Sequence, residues 1–303
     1  MNQEITEKLK EKGLSDSTVK LYLSTLRKLN WGQPYDNLNW LKKTEEISHR
    51  MDHLADSTKK QMLISVISVL SLYPKLKTTQ NKYYKIVKDW TNAVETPSLT
   101  ATETQKKNWI EWSRVLEEFE NLKTQALALE KTKKGKITAP QYGTLLQCAI
   151  LALYVLLPPR RNMDYQKMVV GTPTDDTSKN YYDTKAKTFT FNTYKTSKRH
   201  GQTVEHVPEE LVKILKIYLK HNPLATKNGE YPLLVFGNGS PFTATNSITR
   251  VLNHIFGKNF GSSMLRHSYL SNKYGDVEKE READAHAMGH TVNTQREYIK
   301  VIN

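Results

Sequence analysis

Apolar positions recur at helical spacing through the first hundred residues. After Leu14-Ser15-Asp16-Ser17, where a Ser or Asp oxygen can accept a free N–H of a first turn, Val19, Tyr22, Leu23, Leu26 and Leu29 share one face. A second helix is predicted over 57–73, with Leu63, Val66, Ile67 and Leu70 inward and Pro74 as its stop. A third is predicted over 82–94, and lysines (Lys59, Lys60, Lys85, Lys88) fill the outward faces. The stretch ETPSLTATET (95–104) has Pro, Ser and Thr without periodicity, which suits a linker. Helical spacing resumes over 111–129, followed by a basic turn, Lys131-Thr132-Lys133-Lys134-Gly135-Lys136. That turn suits a solvated or phosphate-facing loop better than a localisation signal. Thr138 starts an apolar helix that reaches Leu157 and stops at Pro158-Pro159. The period then changes to two. Thr188 to Tyr194 alternates as a half-buried strand does, Lys198-Arg199-His200-Gly201 supplies a turn, and 202–207 returns. Residues 211–219 and most of the C-terminal third read as helices. The expected class is mainly α with a small β-sheet or hairpin (α+β).

Charge adds a preference for a polyanionic partner, with membrane-surface binding and solvated lysines on helix faces as the alternatives that charge alone leaves open. The 303 residues hold 45 Lys and Arg against 31 Asp and Glu, a net charge of +14. Each neutralised phosphate releases condensed counterions, so such a surplus favours nucleic acid. The single cysteine, Cys148, lies in an apolar run and reads as a small core residue. One thiol cannot form an internal disulfide or a thiolate cluster, which fits a reducing compartment. The charged N-terminus lacks an apolar signal core, and the longest apolar run, 149–159, falls short of the about 18 residues that span a bilayer. An intracellular protein without a membrane partner is expected.

Four short motifs then stand out in order. Arg160-Arg161-Asn162-Met163-Asp164 follows the apolar helix. Tyr194-Lys195-Thr196 sits on the expected hairpin, with Lys198 as a rival lysine three residues on. Ser263-Met264-Leu265-Arg266-His267 follows, then Met288-Gly289-His290 with Tyr298 beyond. This set resembles the active site of the tyrosine recombinase (phage integrase) family. There the first arginine precedes an acidic residue by three positions, as Arg161 precedes Asp164. The second cluster is His-x-x-Arg, matched by Arg266 with Ser263 in the histidine's place. A His in an L-G-H-like turn is matched by His290, and the family nucleophile is a tyrosine some nine residues further; Tyr298 lies eight beyond. The stretch SDSTVKLYLSTLRKL also resembles the first helix of the family's core-binding domain, so the likeness covers nearly the whole chain.

The resemblance implies a two-domain DNA clamp: a helical core-binding domain over 1–98, a linker at 99–104 and a catalytic domain over 105–303. It implies a site-specific recombinase or integrase that cuts and rejoins duplex DNA through a 3′-phosphotyrosine. The catalytic set would be Arg161, Lys195, Arg266, His290 and Tyr298, with Asp164, Ser263, His267 and Lys198 in support. The chemistry is coherent. Phenol attack on a phosphodiester builds negative charge, which two guanidinium forks neutralise. Tyr298 keeps the bond energy as a phosphotyrosine, so resealing needs no metal and no nucleotide cofactor. Lys195 would protonate the leaving 5′ oxygen, and His290 would hydrogen-bond the scissile phosphate. Asp164 would orient Arg161, and His267 would hold nearby backbone or the tyrosine loop. Four protomers, a dimer on each of two sites, would form a homotetramer. The protein would act where its DNA lies: a prokaryotic cytoplasm, or a eukaryotic nucleus or viral factory. The Leu157 to Arg161 context resembles recombinases of viruses and mobile elements.

Two departures separate the chain from that pattern. Ser263 cannot act as a base or charged donor near neutral pH. The loop between His290 and Tyr298 is one residue short, and five residues after Tyr298 leave little for C-terminal exchange between subunits. Too few residues precede position 14 for an arm-binding domain, so short inverted core sites are expected. Two rival readings are a type IB topoisomerase-like enzyme, which relaxes DNA as a monomer, and a DNA-binding protein that has lost its chemistry. His286 and His290 have the i, i+4 spacing of a helical zinc site, but the Glu and a third ligand are missing and Gly289 is a poor helix residue. Phe236-Gly237-Asn238-Gly239-Ser240 lacks the P-loop lysine and reads as a turn.

Overall fold

The computed structural model describes residues 1–93, 99–131, 137–226 and 229–300. The chain divides into two compact units, Met1–Thr100 and Ala101–Asn303. Both are basic: the first holds 16 Lys and Arg against 11 Asp and Glu, the second 29 against 20.

The first unit is all helical. It comprises α1 (Asn2–Glu11), α2 (Asp16–Leu29), α3 (Thr44–His49), α4 (Asp56–Leu70) and α5 (Lys77–Ala93). Ser15 caps α2 by accepting the Thr18 N–H. Val19, Leu26 and Leu29 bury against Leu63, Val66 and Leu70 of α4, while Ile67 packs at the edge. The charged N-terminus forms α1 because Ile5 and Leu9, four apart, both enter this core. Pro74 opens a 3-10 turn, and α5 starts five residues earlier than its periodicity suggests.

The second unit is mixed. Residues 95–98 of the expected linker lie outside the described residues, as do 132–136 of the basic turn. The remaining linker residues are not irregular throughout, since Thr102 forms a capping box with Gln105 and opens α6 (Glu103–Asn108). Then come α7 (Trp112–Lys131) and α8 (Ala139–Val155), the latter started by a second capping box, Thr138 with Gln141. From Leu145 to Tyr154 nearly every α8 residue is buried, because α7 and α11 (Glu209–Leu219) pack on it and the sheet covers another side. It ends at Val155, two residues short of expectation, because the backbone before Pro158-Pro159 must leave the helical region.

Five short strands form one mixed sheet, β1 (Val169–Val170), β2 (Tyr181–Asp183), β3 (Thr188–Phe191), β4 (Thr203–His206) and β5 (Tyr231–Pro232), in the order β4-β3-β2-β1-β5. β3 and β4 are the expected hairpin, trimmed at both ends. Its connection holds the one-turn helix α10 (Ser197–His200). β1, β2 and β5 are too short to show alternation. Tyr165, on α9 (Asn162–Gln166), stands edge-on to Tyr154, Phe189 and Phe191 at 5.8–5.9 Å, fixing the sheet against α8. The chain closes with α12 (Ser247–Phe256), α13 (Ser262–Ala287) and α14 (Val292–Tyr298). Among the described residues no helix is long and apolar enough to cross a membrane.

Candidate active site

Three backbone segments meet at the buried end of α8. The Tyr154 hydroxyl donates to Asn162 Oδ1 (2.8 Å), and Asn162 Nδ2 donates to Thr249 Oγ1 on α12 (2.8 Å). Gly261 precedes α13, and a Cβ there would come within 3.2 Å of the Thr249 methyl, so any larger residue would have to push Thr249 aside by a few tenths of an ångström. Burial pushes the Tyr154 phenol well above its ordinary value. Tyr165 and Asp164 push it further, while the Arg266 guanidinium and Ser262 pull it back. The segments carrying Arg161 and Arg266, 105 positions apart, thus converge on Tyr154.

The two adjacent arginines have different duties. Arg160 Nε donates to Asp164 Oδ2 (3.1 Å) and Nη1 to Glu205 (2.5 Å), with its guanidinium 3.7 Å from the Phe191 ring centroid. Asp164, expected to orient Arg161, makes its side-chain bond to Arg160, while Arg161 acts on the carboxylate through its nearby charge. The reason is local geometry. Asp164 is one helical turn after Arg160 and faces inward, whereas Arg161 occupies the N-cap of α9 with extended backbone. Asp164 is 3% exposed, and burial raises its carboxyl above the usual range although Arg160 and Arg161 both lower it. Arg161 forms no ion pair among the described residues and is half-buried, so its fork is open to an external anion.

Lys195 comes to the same neighbourhood through Asn180. This buried amide donates to the carbonyls of Asp164 (2.8 Å) and Thr193 (2.9 Å) and accepts from the N–H groups of Asn192 and Thr193. It staples the end of β3 to α9. Tyr194 closes the following turn with a hydrogen bond to the Gly201 carbonyl, and its ring lies 5.5 Å from the Arg160 guanidinium. Lys195, next to Tyr194, is exposed, while Lys198 rides on α10.

At the start of α13, Arg266 donates to the Ser262 carbonyl (3.3 Å) and to Ser263 Oγ (3.4 Å), and among the described residues no carboxylate pairs with it. Ser263 therefore helps to hold Arg266. His267 Nε2, expected to hold nearby backbone or the tyrosine loop, lies 3.3 Å from the Gln105 side-chain amide and so ties α13 to α6. Ser268 donates to the Ile110 carbonyl and Trp112 packs edge-on against Tyr269, so the base of α13 is firmly seated.

The other half of the expected set stands apart. α13 runs unbroken for 26 residues, through Gly275. Arg281 donates to Gln295 and so marks where α14 docks. It lies 15 residues beyond Arg266, which at 1.5 Å per residue is roughly 22 Å of helix axis. His290 and Tyr298 keep each other's company there, with ring centroids 5.7 Å apart. Tyr298 is 73% exposed, and His290 Nε2 is buried without a hydrogen-bond partner. The segments of Arg161 and Arg266 therefore meet near the start of α13, with the Lys195 turn joined to the Arg161 segment through Asn180, whereas His290 and Tyr298 lie together near its other end.

Met288-Gly289-His290 also has a structural explanation. Gly289 has φ +71°, and the N–H groups of Gly289 and His290 bond back to the carbonyls of His286 and Ala285, closing α13 with a left-handed residue at its end. His286 and His290 thus fall on opposite sides of a helix terminus. Among the described residues no three His, Cys, Asp or Glu side chains gather as metal ligands would.

No family model matches the chain, and neither does any curated protein or solved structure. Residues that position this site, Tyr154, Asn162, Asn180 and Thr249, escaped the sequence reading. The one signal was two asparagines beside elements otherwise built of aromatic and aliphatic residues.

Proposed function

We propose that the chain is a site-specific DNA recombinase of the tyrosine-recombinase kind, cutting and rejoining duplex DNA through a phosphotyrosine at Tyr298. The observation that carries this reading is that the segments holding Arg161 and Arg266, neither side chain in an ion pair among the described residues, meet around Tyr154, with the Lys195 turn joined to the first of them through Asn180. Two guanidiniums and a lysine carried on neighbouring segments suit a phosphodiester whose charge rises in the transition state. Both units are basic, so both would contribute salt-sensitive phosphate contacts.

Catalysis then requires Tyr298 to travel. It reaches an arginine pair either by a break of α13 at Gly275 or by donation from one protomer to another within a DNA-bound homotetramer. The second route makes paired sites obligatory and separates a recombinase from a monomeric topoisomerase. The distance between Arg266 and Tyr298 also favours one rival, a DNA-binding protein without chemistry.

Covalent trapping decides among these. Nicked duplexes from the DNA flanking the gene are incubated with wild type, Tyr298→Phe, Arg266→Ala and an equimolar mixture of the two variants, and resolved on a denaturing gel. The expected outcome is a DNA-linked band for wild type only, and its return in the mixture if the tyrosine is donated between protomers. Retarded complexes on a native gel with no covalent band from wild type would refute the enzyme reading.

A further inference from the structure

The end of α2 carries a feature that the recombinase reading does not use. The Gly32 N–H bonds to the Arg27 carbonyl (2.8 Å) and the Trp31 N–H to that of Lys28 (3.1 Å), the closure that needs a left-handed residue after the helix cap. The same closure ends α1 at Gly13 (φ +73°) and α13 at Gly289 (φ +71°). At α2 the left-handed residue is Trp31, with φ +54°. A bulky side chain is disfavoured in that conformation, and backbone strain of this sort concentrates where a side chain must be aimed.

Trp31 is not held there by the core, being 70% exposed. Arg50 lies against it, its guanidinium 5.1 Å from the ring centroid. Arg50 is itself fixed by hydrogen bonds to the Leu29 carbonyl and to Glu46. One face of the indole therefore rests on an immobilised cation, and exposure this high leaves the opposite face in water. Arg27 and Lys28 lie in the turn that leads to it, both exposed and in no ion pair among the described residues. An aromatic plate beside two free cations suits a base with its adjoining phosphates better than an uncharged protein surface.

We infer that Trp31 is a stacking residue for an unpaired or unstacked nucleobase of bound DNA, with Arg27 and Lys28 on the flanking phosphates. The inference rests on the nucleic-acid reading above and adds a contact outside the chemical site. The full-length protein is titrated into two fluorescein-labelled 20-bp duplexes, one fully paired and one with a single bulged 2-aminopurine. Variants are Trp31→Gly, which the left-handed backbone accommodates so that the fold is kept, and Trp31→Phe. Wild type should prefer the bulged duplex and quench its 2-aminopurine. Trp31→Gly should lose roughly tenfold on the bulge, lose the quench, and stay within about twofold on the paired duplex. Trp31→Phe should keep most of the preference. Equal affinity and quenching in wild type and Trp31→Gly would overturn the inference alone. Binding of neither duplex by wild type would overturn it together with the nucleic-acid reading.

Discussion

Replacing Arg160 by methionine tests the division of labour between the paired arginines. Methionine keeps an apolar stem against Phe191 but removes the only ion-pair partner of Asp164 among the described residues. Asp164 is 3% exposed and its Oδ1 already lacks a hydrogen-bond partner. A buried carboxylate stripped of its partner costs about 3–5 kcal/mol. Lost stacking on Phe191 adds about 0.5–1 kcal/mol, and the half-exposed Glu205 pair adds little. The nearby Arg161 charge offsets part of this, so a net loss of about 3 kcal/mol is expected at pH 8. The pH dependence has a definite sign. Burial holds the Asp164 carboxyl above its ordinary value, so the folded state binds this proton more tightly than the unfolded chain. Ionised Asp164 therefore opposes folding, and stability is regained as pH falls through the folded value towards the unfolded one. Without Arg160 the carboxyl rises further and this recovery starts at higher pH. Scanning calorimetry should show the second unit, about two hundred residues, melting roughly 6–12 °C lower at pH 8 and less so at pH 5. Adding Asp164→Asn should restore most of the loss, whereas Arg161→Met should cost under about 1 kcal/mol. Equal losses for Arg160→Met and Arg161→Met, or no pH dependence, would refute the assignment of Asp164 to Arg160.

Two further outcomes follow from buried groups. Asn180→Ala removes five hydrogen bonds and strands backbone groups of Asp164, Asn192 and Thr193, for a loss of about 3 kcal/mol. Amide exchange at Asn192 and Thr193 should quicken in that variant, with Asn180→Asp intermediate; unchanged protection would mean the turn is held otherwise. Burial pushes the Cys148 thiol up to about 12, so an aromatic disulfide reagent at pH 8 should find no reactive thiol in the native protein and one equivalent in denaturant. Rapid labelling of the native protein would contradict the packing of α8.

The helices were legible wherever periodicity and an end signal coincided. Ser15 and Thr138 cap where their sequences suggest, and Val19, Leu26, Leu63 and Leu70 face inward as their spacing requires. The sheet was half legible. Four residues of alternation revealed β3, but two- and three-residue strands such as β1 and β2 carry no period, and their pairing comes from the packing of Tyr165, Tyr182 and Phe189. At the candidate site, spacing identified arginines at 161 and 266 and a tyrosine at 298 but could not say which of them meet. The assignment of Asp164 to Arg161 followed a family interval, whereas the inward face of a single turn gives the carboxylate to Arg160.

What the sequence determined by itself is the inventory: a basic, mainly helical chain, its helix starts, one hairpin and the candidate residues Arg161, Lys195, Arg266, His290 and Tyr298. These are local properties, set by side-chain period, capping oxygens and charge count, and they need no distant partner. Only the tertiary structure decided which groups share a space. Asn180 joins the segments around 164 and 193, and Asn162 joins α8 to α12 through Tyr154 and Thr249, because amides withdrawn from water need partners for their donors and acceptors. An unbroken α13 keeps Tyr298 away because consecutive helical hydrogen bonds fix its length whatever its ends carry.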